Sequence, residues 1–431
     1  MVRKWLCVTA LAVALPQAYA QDADTQKLRE EILQLQQRLE ALEQRPRQAG
    51  ANAFNPAISL ILQGTAARSS QDPAAYRIDG FAPSGGEVAP APRSFSLGES
   101  ELIIAANIDP YFSGQLVAAL TPENEAEVEE AFFQTLSLGK GFTLKGGRFL
   151  SGIGYQNEIH QHAWDFQDAP LAYKAFLGGR LNDDGVQLRW LAPTDLFLEF
   201  GAELGRGRAF PSAESSRNGA GAWSLFTHAG GDLGASTAWR AGLSHLQTKP
   251  EGRAFEDGDS LGNPVSQSFS GTSKLWIADF VLKWAPNGNA SVTNFKLQGE
   301  VFRRDESGAL TYDGGTAMSG AYASRQSGWY LQGVYQFMPR WRAGLRHDRL
   351  DHGTVDNAIV AGGLGPSAAD FALLMTAHNP TRSTLMLDWS PTEFSRIRLQ
   401  LAADRSRAGV TDNQALVQYI FSLGAHGAHK F

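Results

Sequence analysis

The sequence has 431 residues, a formal net charge of −6, 43% hydrophobic and 10% aromatic residues, and a single Cys. Beyond residue 20 no apolar run is long enough for a membrane helix, which excludes a helical membrane protein, and the aromatic content excludes a disordered chain. An acidic balance without a basic block argues against a nucleic-acid partner, so the choice lies between a large β-rich soluble protein and a barrel whose hydrophobicity is hidden by alternation.

At the N-terminus, Arg3 and Lys4 precede an apolar run from Trp5 to Leu15, and Ala18-Tyr19-Ala20 offers small residues to a signal peptidase. A signal peptide over 1–20 is therefore expected. Cys7 leaves with it, and the mature fold would need neither disulfides nor thiolate metal sites.

Residues 21–47 read as a periplasmic coiled coil. Leu28, Ile32, Leu35, Leu39 and Leu42 are spaced 4, 3, 4, 3, with polar residues around them and Pro46 ending the run. The alternative is an amphipathic helix lying on its own domain; the narrow seam favours one that joins chains, and its mixture of Leu and Ile permits a homotrimer. A linker over 48–56 follows.

From Ala57 to the end the period becomes two. Segments of about ten residues, the length of a tilted membrane strand, start near 57, 95, 111, 126, 141, 184, 196, 219, 236, 272, 291, 325, 341, 381, 394 and 411. Trp329, Leu331, Gly333, Tyr335 and Phe337 alternate with Tyr330, Gln332, Val334 and Gln336. Such alternation suits a soluble sandwich as well as a barrel. Connection lengths decide between them. Links at 68–94, 150–183, 206–218, 248–271, 305–324 and 351–380 are long, while the links between are tight turns at Asp109-Pro110, Leu138-Gly139-Lys140, Pro193-Thr194-Asp195, Pro286-Asn287-Gly288-Asn289, Met338-Pro339-Arg340 and Pro391-Thr392-Glu393. Long loops on one rim and short turns on the other are the pattern of an outer-membrane barrel. Trp190, Trp284, Phe337 and Trp389 each precede a Pro in a short turn, as an interfacial girdle requires. The predicted fold is all-β: a transmembrane antiparallel barrel of about 16 strands over 57–431, in the outer membrane of a Gram-negative bacterium and contacting its lipid.

The chain closes on Phe431 after an apolar, glycine-rich segment. Signal peptide, short coiled coil, sixteen strands and terminal Phe together resemble the phosphate-selective porin O/P type of trimeric porin. The stretches Ser96-Leu97-Gly98-Glu99-Ser100-Glu101, Gly147-Arg148-Phe149-Leu150-Ser151-Gly152-Ile153-Gly154-Tyr155, His160-Gln161-His162-Ala163-Trp164-Asp165-Phe166 and Gly424-Ala425-His426-Gly427-Ala428-His429-Lys430-Phe431 resemble a proteobacterial family often labelled zinc-regulated TonB-dependent outer-membrane receptor. The resemblance implies a channel for small solutes or ions, a link to zinc, and recognition of Phe431 by the outer-membrane insertion machinery. A TonB-dependent transporter would carry a folded plug before a barrel of about 22 strands; residues 47–56 leave no room for one, so an open channel is favoured over a receptor for metal uptake or a structural tether.

The longest loop, 150–183, is expected to fold inward and form the constriction. It carries Glu158, Asp165 and Asp168, while Arg342, Arg346, Arg382, Arg396 and Arg398 fall on the predicted lumen face. Carboxylates opposite arginines would set a transverse field across the passing solute. His160 and His162 share one face of an extended segment, with Glu158 on the same side. This trio suits zinc, as ligand or as substrate; no cofactor is otherwise expected. His352, His378 and many serines occur without a G-x-S-x-G motif, so the chain is not expected to be an enzyme.

Overall fold

The computed structural model describes residues 56–85, 88–121, 125–213 and 218–424; the signal peptide, the Leu28 to Leu42 seam and Phe431 lie outside them. The strands are β1 (Ala57–Ser69), β2 (Ser94–Leu97), β3 (Ser100–Asn107), β4 (Phe112–Leu120), β5 (Ala126–Thr135), β6 (Phe142–Leu150), β7 (Asn182–Leu191), β8 (Phe197–Gly205), β9 (Ala222–Leu233) and β10 (Thr237–Thr248). There follow β11 (Arg253–Gly258), β12 (Pro264–Trp284), β13 (Asn294–Asp313), β14 (Ala317–Met338), β15 (Trp341–Asn357), β16 (Thr381–Thr392), β17 (Ser395–Arg405) and β18 (Asp412–Gly424). All eighteen share one antiparallel sheet, which closes where β1 pairs with β18 from Ser59↔Gly424 to Ser69↔Gln414. Short β2 and β11 are extensions beside β1 and β12, so sixteen strands form the staves of the barrel.

The alternation resolves with its polar face inward. Along β13 and β14, Glu300 is 1% exposed and Gln298, Phe302, Tyr330 and Gln332 are buried, whereas Val301 is 57% and Leu331 50% exposed. A soluble protein buries its Leu and Trp and exposes its charges; here Arg304, Arg346, Asp348, Asp388 and Arg398 are inside, and the outer surface is Leu, Phe and Trp. A medium that solvates apolar side chains must surround such a wall. At the short-turn end, Phe142 and Phe200 stack on Trp190, Trp341 stacks on Trp389, and Trp284, Phe337 and Trp389 are exposed, forming the girdle.

Two of the expected long loops are largely strand. β12, β13 and β14 run for 21, 20 and 22 residues, so the links expected at 248–271 and 305–324 become hairpin extensions above the membrane. Their inward faces bury Phe269, Leu310, Tyr312 and Tyr322 against Ile359, Phe371 and Leu374 of the 358–376 segment. Period two persists there because a protein cap, rather than lipid, supplies the packing.

The barrel is not hollow at mid-height. Segment 151–181, with its helix Leu171–Leu177, folds into the lumen beside the segment that contains Ile78 and Phe81. Leu171, Tyr173, Phe176 and Trp164 bury against wall residues Phe226, Leu275, Ile277, Phe302, Tyr330 and Leu350. A hydrophobic core thus sits inside a polar-lined barrel.

Candidate functional site

The lumen loop crosses from one wall to the other and is hydrogen-bonded to staves on every side. Near its start, Glu203 on β8 accepts from the Gly152 N–H at 2.8 Å and from the Ser151 hydroxyl, and Ser244 on β10 accepts from the Gly154 N–H at 3.0 Å. Glu300 on β13 then accepts from the Tyr155 and Gln156 N–H groups at 3.1 and 3.0 Å, from the Tyr173 hydroxyl at 3.0 Å and from the Tyr330 hydroxyl at 2.6 Å. Gly154 has φ +66, and a Cβ there would lie 2.5 Å from Glu300 Oε2, so the close approach requires glycine.

The loop aspartates meet the basic wall of β13 to β17. Asp165 pairs with Lys296 at 2.9 Å and Arg342 at 3.1 Å. Asp168 pairs with Lys174 at 3.0 Å, with Arg346 at 3.1 Å and with Arg382. Burial opposes ionisation of both carboxyls, but Lys296 and Arg342 around Asp165, and Arg382, Lys174 and Arg346 around Asp168, hold them below the ordinary carboxylate range. Arg398 donates to the Trp164 carbonyl at 2.7 Å and to Asp388 at 2.9 Å, and Arg396 donates to the Trp164 carbonyl at 3.3 Å. All five predicted arginines therefore face the lumen. The expected gap between arginines and carboxylates does not exist at Arg342, Arg346 and Arg382: the groups are in contact, because the loop buries enough apolar surface on this wall to bring them together. These pairs therefore do not stand on opposite sides of an open passage.

The histidines turn to the opposite, acidic wall. His160 Nδ1 lies 3.3 Å from Glu101 Oε2 on β3 and 3.4 Å from Glu129 Oε2 on β5, and its Nε2 is 3.0 Å from Glu130 Oε2. His162 Nδ1 is 2.9 Å from Glu101 Oε1, and the two imidazoles stack with centroids 5.8 Å apart. Burial disfavours the charged ring of His160, yet its contacts with Glu101, Glu129 and Glu130 prevail and raise its pKa well above the ordinary value. Adjacent Glu129 and Glu130 both point inward because β5 is bulged: Val117 faces Glu130, Ala118 faces Val128, and Glu129 is the extra residue.

Glu158 corrects the predicted metal trio. Its carboxylate is paired with Arg189 on β7 rather than with His160 and His162, since the loop turns between these positions and is not extended there. The carboxylates that replace it, Glu101, Glu129 and Glu130, come from the wall. The sequence carried one signal for them: a Glu-Glu doublet in a strand breaks period two, and such local violations mark functional positions. His352 and His378 each donate from Nε2 to a backbone carbonyl, of Leu374 and Arg405 respectively.

Toward the short-turn end, Arg240, Lys283, Lys296, Arg342 and Arg396 face the lumen. Arg240 lies opposite buried Val281, Lys283 is two residues further on the same face, and Lys283 pairs in register with Lys296. Carboxylates share this region: Asp165 and Asp388 pair with Lys296, Arg342 and Arg396, Asp232 lies at the end of β9, and buried Asp279 lies two residues from Val281 on the same face.

No family model matches the chain. It is 31% identical over 357 residues to an Aquifex aeolicus (strain VF5) protein known as an uncharacterized protein, across 79% of this chain and 70% of that one. Its fold is similar to that of OmpTdeltaL8, a loop L8 deletion mutant of the Vibrio cholerae outer membrane protein OmpT, with TM-score 0.50, 9% identity and coverage of 85% of this chain and 99% of that one. It is equally similar to the outer membrane channel DcaP of Acinetobacter baumannii, with TM-score 0.50, 11% identity and coverage of 85% and 97%. A closed sixteen-stave barrel of porin fold, apolar outside and girdled with aromatics, is a protein of the Gram-negative outer membrane.

Proposed function

The chain belongs to one family with the uncharacterized protein of Aquifex aeolicus, and from its barrel we propose that it is a narrow, porin-like outer-membrane channel for passive movement of small anions, with segment 151–181 as its constriction. The observation that carries this reading is the placement of Arg240, Lys283 and Arg396 on the lumen face below the loop, beside Lys296 and Arg342, which Asp165 pairs. A basic lining in a narrow, low-dielectric lumen concentrates anions and repels cations. The loop accounts for the narrowness. One cavity between the loop and the wall, lined by Asp168, Arg382, Gln400 and Gln414, has about 20 Å³, room for about one water molecule.

A homotrimer formed through β3 to β6 fits the outer surface. These staves span only eight to ten residues, and an apolar recess lined by Ile104, Ile108, Leu116, Ala131 and Phe133 lies on them. Chemical cross-linking of the native membrane should give trimers, and Ala131→Trp should dissolve them.

Planar-bilayer recording tests the channel. The unmutated protein should conduct weakly and prefer anions, and replacing Arg240, Lys283 and Arg396 with Gln should move the reversal potential toward cations. A cation preference in the unmutated protein, or no current even after segment 160–176 is deleted from a folded barrel, would overturn the reading.

A further inference from the structure

The acidic wall leaves three donor atoms without a hydrogen-bond partner at one place: Glu101 Oε2, Glu129 Oε2 and His160 Nδ1. Glu101 is fully buried and Glu129 is 7% exposed. Both carboxylate oxygens lie in ion-pair range of the ring nitrogen but not in hydrogen-bond geometry, an arrangement that is costly when buried, and the three atoms converge, all within 4.8 Å of one another.

The spacing is that of a coordination shell. A zinc ion holds carboxylate oxygen and imidazole nitrogen at about 2.0–2.2 Å, and a tetrahedron of that size has edges of about 3.4 Å. The observed separations from His160 Nδ1 are 3.3 and 3.4 Å.

The other atom of every group is fixed by a neighbour. His160 Nε2 sits 3.0 Å from Glu130 Oε2, Glu101 Oε1 accepts from His162 Nδ1 at 2.9 Å, and Glu129 Oε1 accepts from Arg180. A ligating imidazole that donates its second N–H to a carboxylate is the usual outer support of a metal-bound histidine. The bulge on β5 supplies both Glu129, facing His160 Nδ1, and Glu130, facing His160 Nε2.

We propose that a zinc ion binds between Glu101 Oε2, Glu129 Oε2 and His160 Nδ1, with water as its fourth ligand, and so ties the lumen loop to staves β3 and β5. Two carboxylates and one imidazole with an open position are a zinc donor set rather than a calcium or magnesium one, which would be all oxygen. The site goes beyond the channel reading and does not depend on it.

The test is calorimetric titration of the chelator-treated full-length protein, folded in detergent, with Zn²⁺ alone. One ion per chain should bind at micromolar or lower concentration. His160→Ala and Glu129→Gln should each weaken binding at least 100-fold, Glu130→Gln about 10–100-fold through the histidine it orients, and Glu158→Gln not at all. Heat-dependent gel mobility reports whether each variant is folded. Should the ligand variants not fold, X-ray absorption of the zinc-loaded unmutated protein decides: one imidazole with oxygen neighbours at about 2.0–2.2 Å supports the site, and a shell with two or more imidazoles overturns it. Absence of binding to the folded unmutated protein, or binding that survives both His160→Ala and Glu129→Gln, also overturns it. Since calorimetry reads no current, failure here leaves the channel reading standing, and a barrel that binds zinc but does not conduct leaves the site standing.

Discussion

The two walls that grip the lumen loop use the same kind of charge pairing and reach opposite results. On the β13 to β17 side, Asp165 and Asp168 have Lys296, Arg342, Lys174, Arg346 and Arg382 within contact. On the β3 to β5 side, Glu101, Glu129 and Glu130 crowd around one imidazole, and two of their oxygens face its Nδ1 without a hydrogen bond. The first wall is matched and acts as an anchor. The second has Arg180 on Glu129 and an imidazole between three carboxylates, and aims two carboxylate oxygens and one ring nitrogen at a single point, which is what a cation site needs and an anchor does not.

Removing Asp168 should break the matched side most severely. Asp168→Ala leaves Lys174, Arg346 and Arg382 buried near one another, and a buried pair broken from one end costs about 3–5 kcal/mol. The expected outcome is a loop that becomes sensitive to protease, a lower temperature for loss of the folded gel band, and a larger single-channel current. Because the Asp168 carboxyl is held well below its ordinary range by these cations against the effect of burial, its contribution is present above the unfolded pKa of about 4 and lost only as the pH falls through the lower folded value. The loop should therefore stay protected at pH 5, and protection lost already at that pH would contradict the anchor.

Most of the wall was legible in the sequence, whereas the content of the lumen was not. Stave starts such as 57, 126, 341 and 381 coincide with β1, β5, β15 and β16, because lipid on one side and polar groups on the other impose period two residue by residue. The loop has no such external template. Its aspartates and arginines were visible as separate groups, but whether they touch depends on how much apolar surface of Tyr173, Phe176 and Trp164 finds a wall. Glu158 shows the limit: spacing placed it with His160, and one turn of the chain gave it to Arg189. Glu101, Glu129 and Glu130 lie from 30 to 61 residues away from their histidines in sequence, beyond any local pattern.

Neutralising one carboxylate on the histidine side should cost far less than on the matched side. In metal-free protein, Glu101→Gln keeps an oxygen for His162 and relieves repulsion with Glu129 and Glu130, so the loss should be about 1 kcal/mol, that of one hydrogen bond to a charged group weakened rather than deleted. Guanidinium or thermal unfolding of the chelated barrel reads this directly. A loss as large as that of Asp168→Ala would mean that both walls are anchors and that the comparison fails.

The smallest effect is expected where pairing occurs without burial. Arg325 lies 2.7 Å from Asp305 across the β13–β14 extension, a distance shorter than that of Arg346 from Asp168, yet it is 66% exposed and its partner 36%. Water screens both charges, and holding the long side chain in place costs rotamer freedom, so exposed pairs of this kind contribute at most about 1 kcal/mol and often nothing measurable. A double-mutant cycle of Arg325→Ala and Asp305→Ala should give a coupling of about 0.5 kcal/mol or less that fades in high salt. A coupling comparable to the loss at Asp168 would show that distance alone governs these pairs. A near-zero value assigns the strength of the lumen anchor to its burial, since the shorter contact outside the barrel would then hold almost nothing.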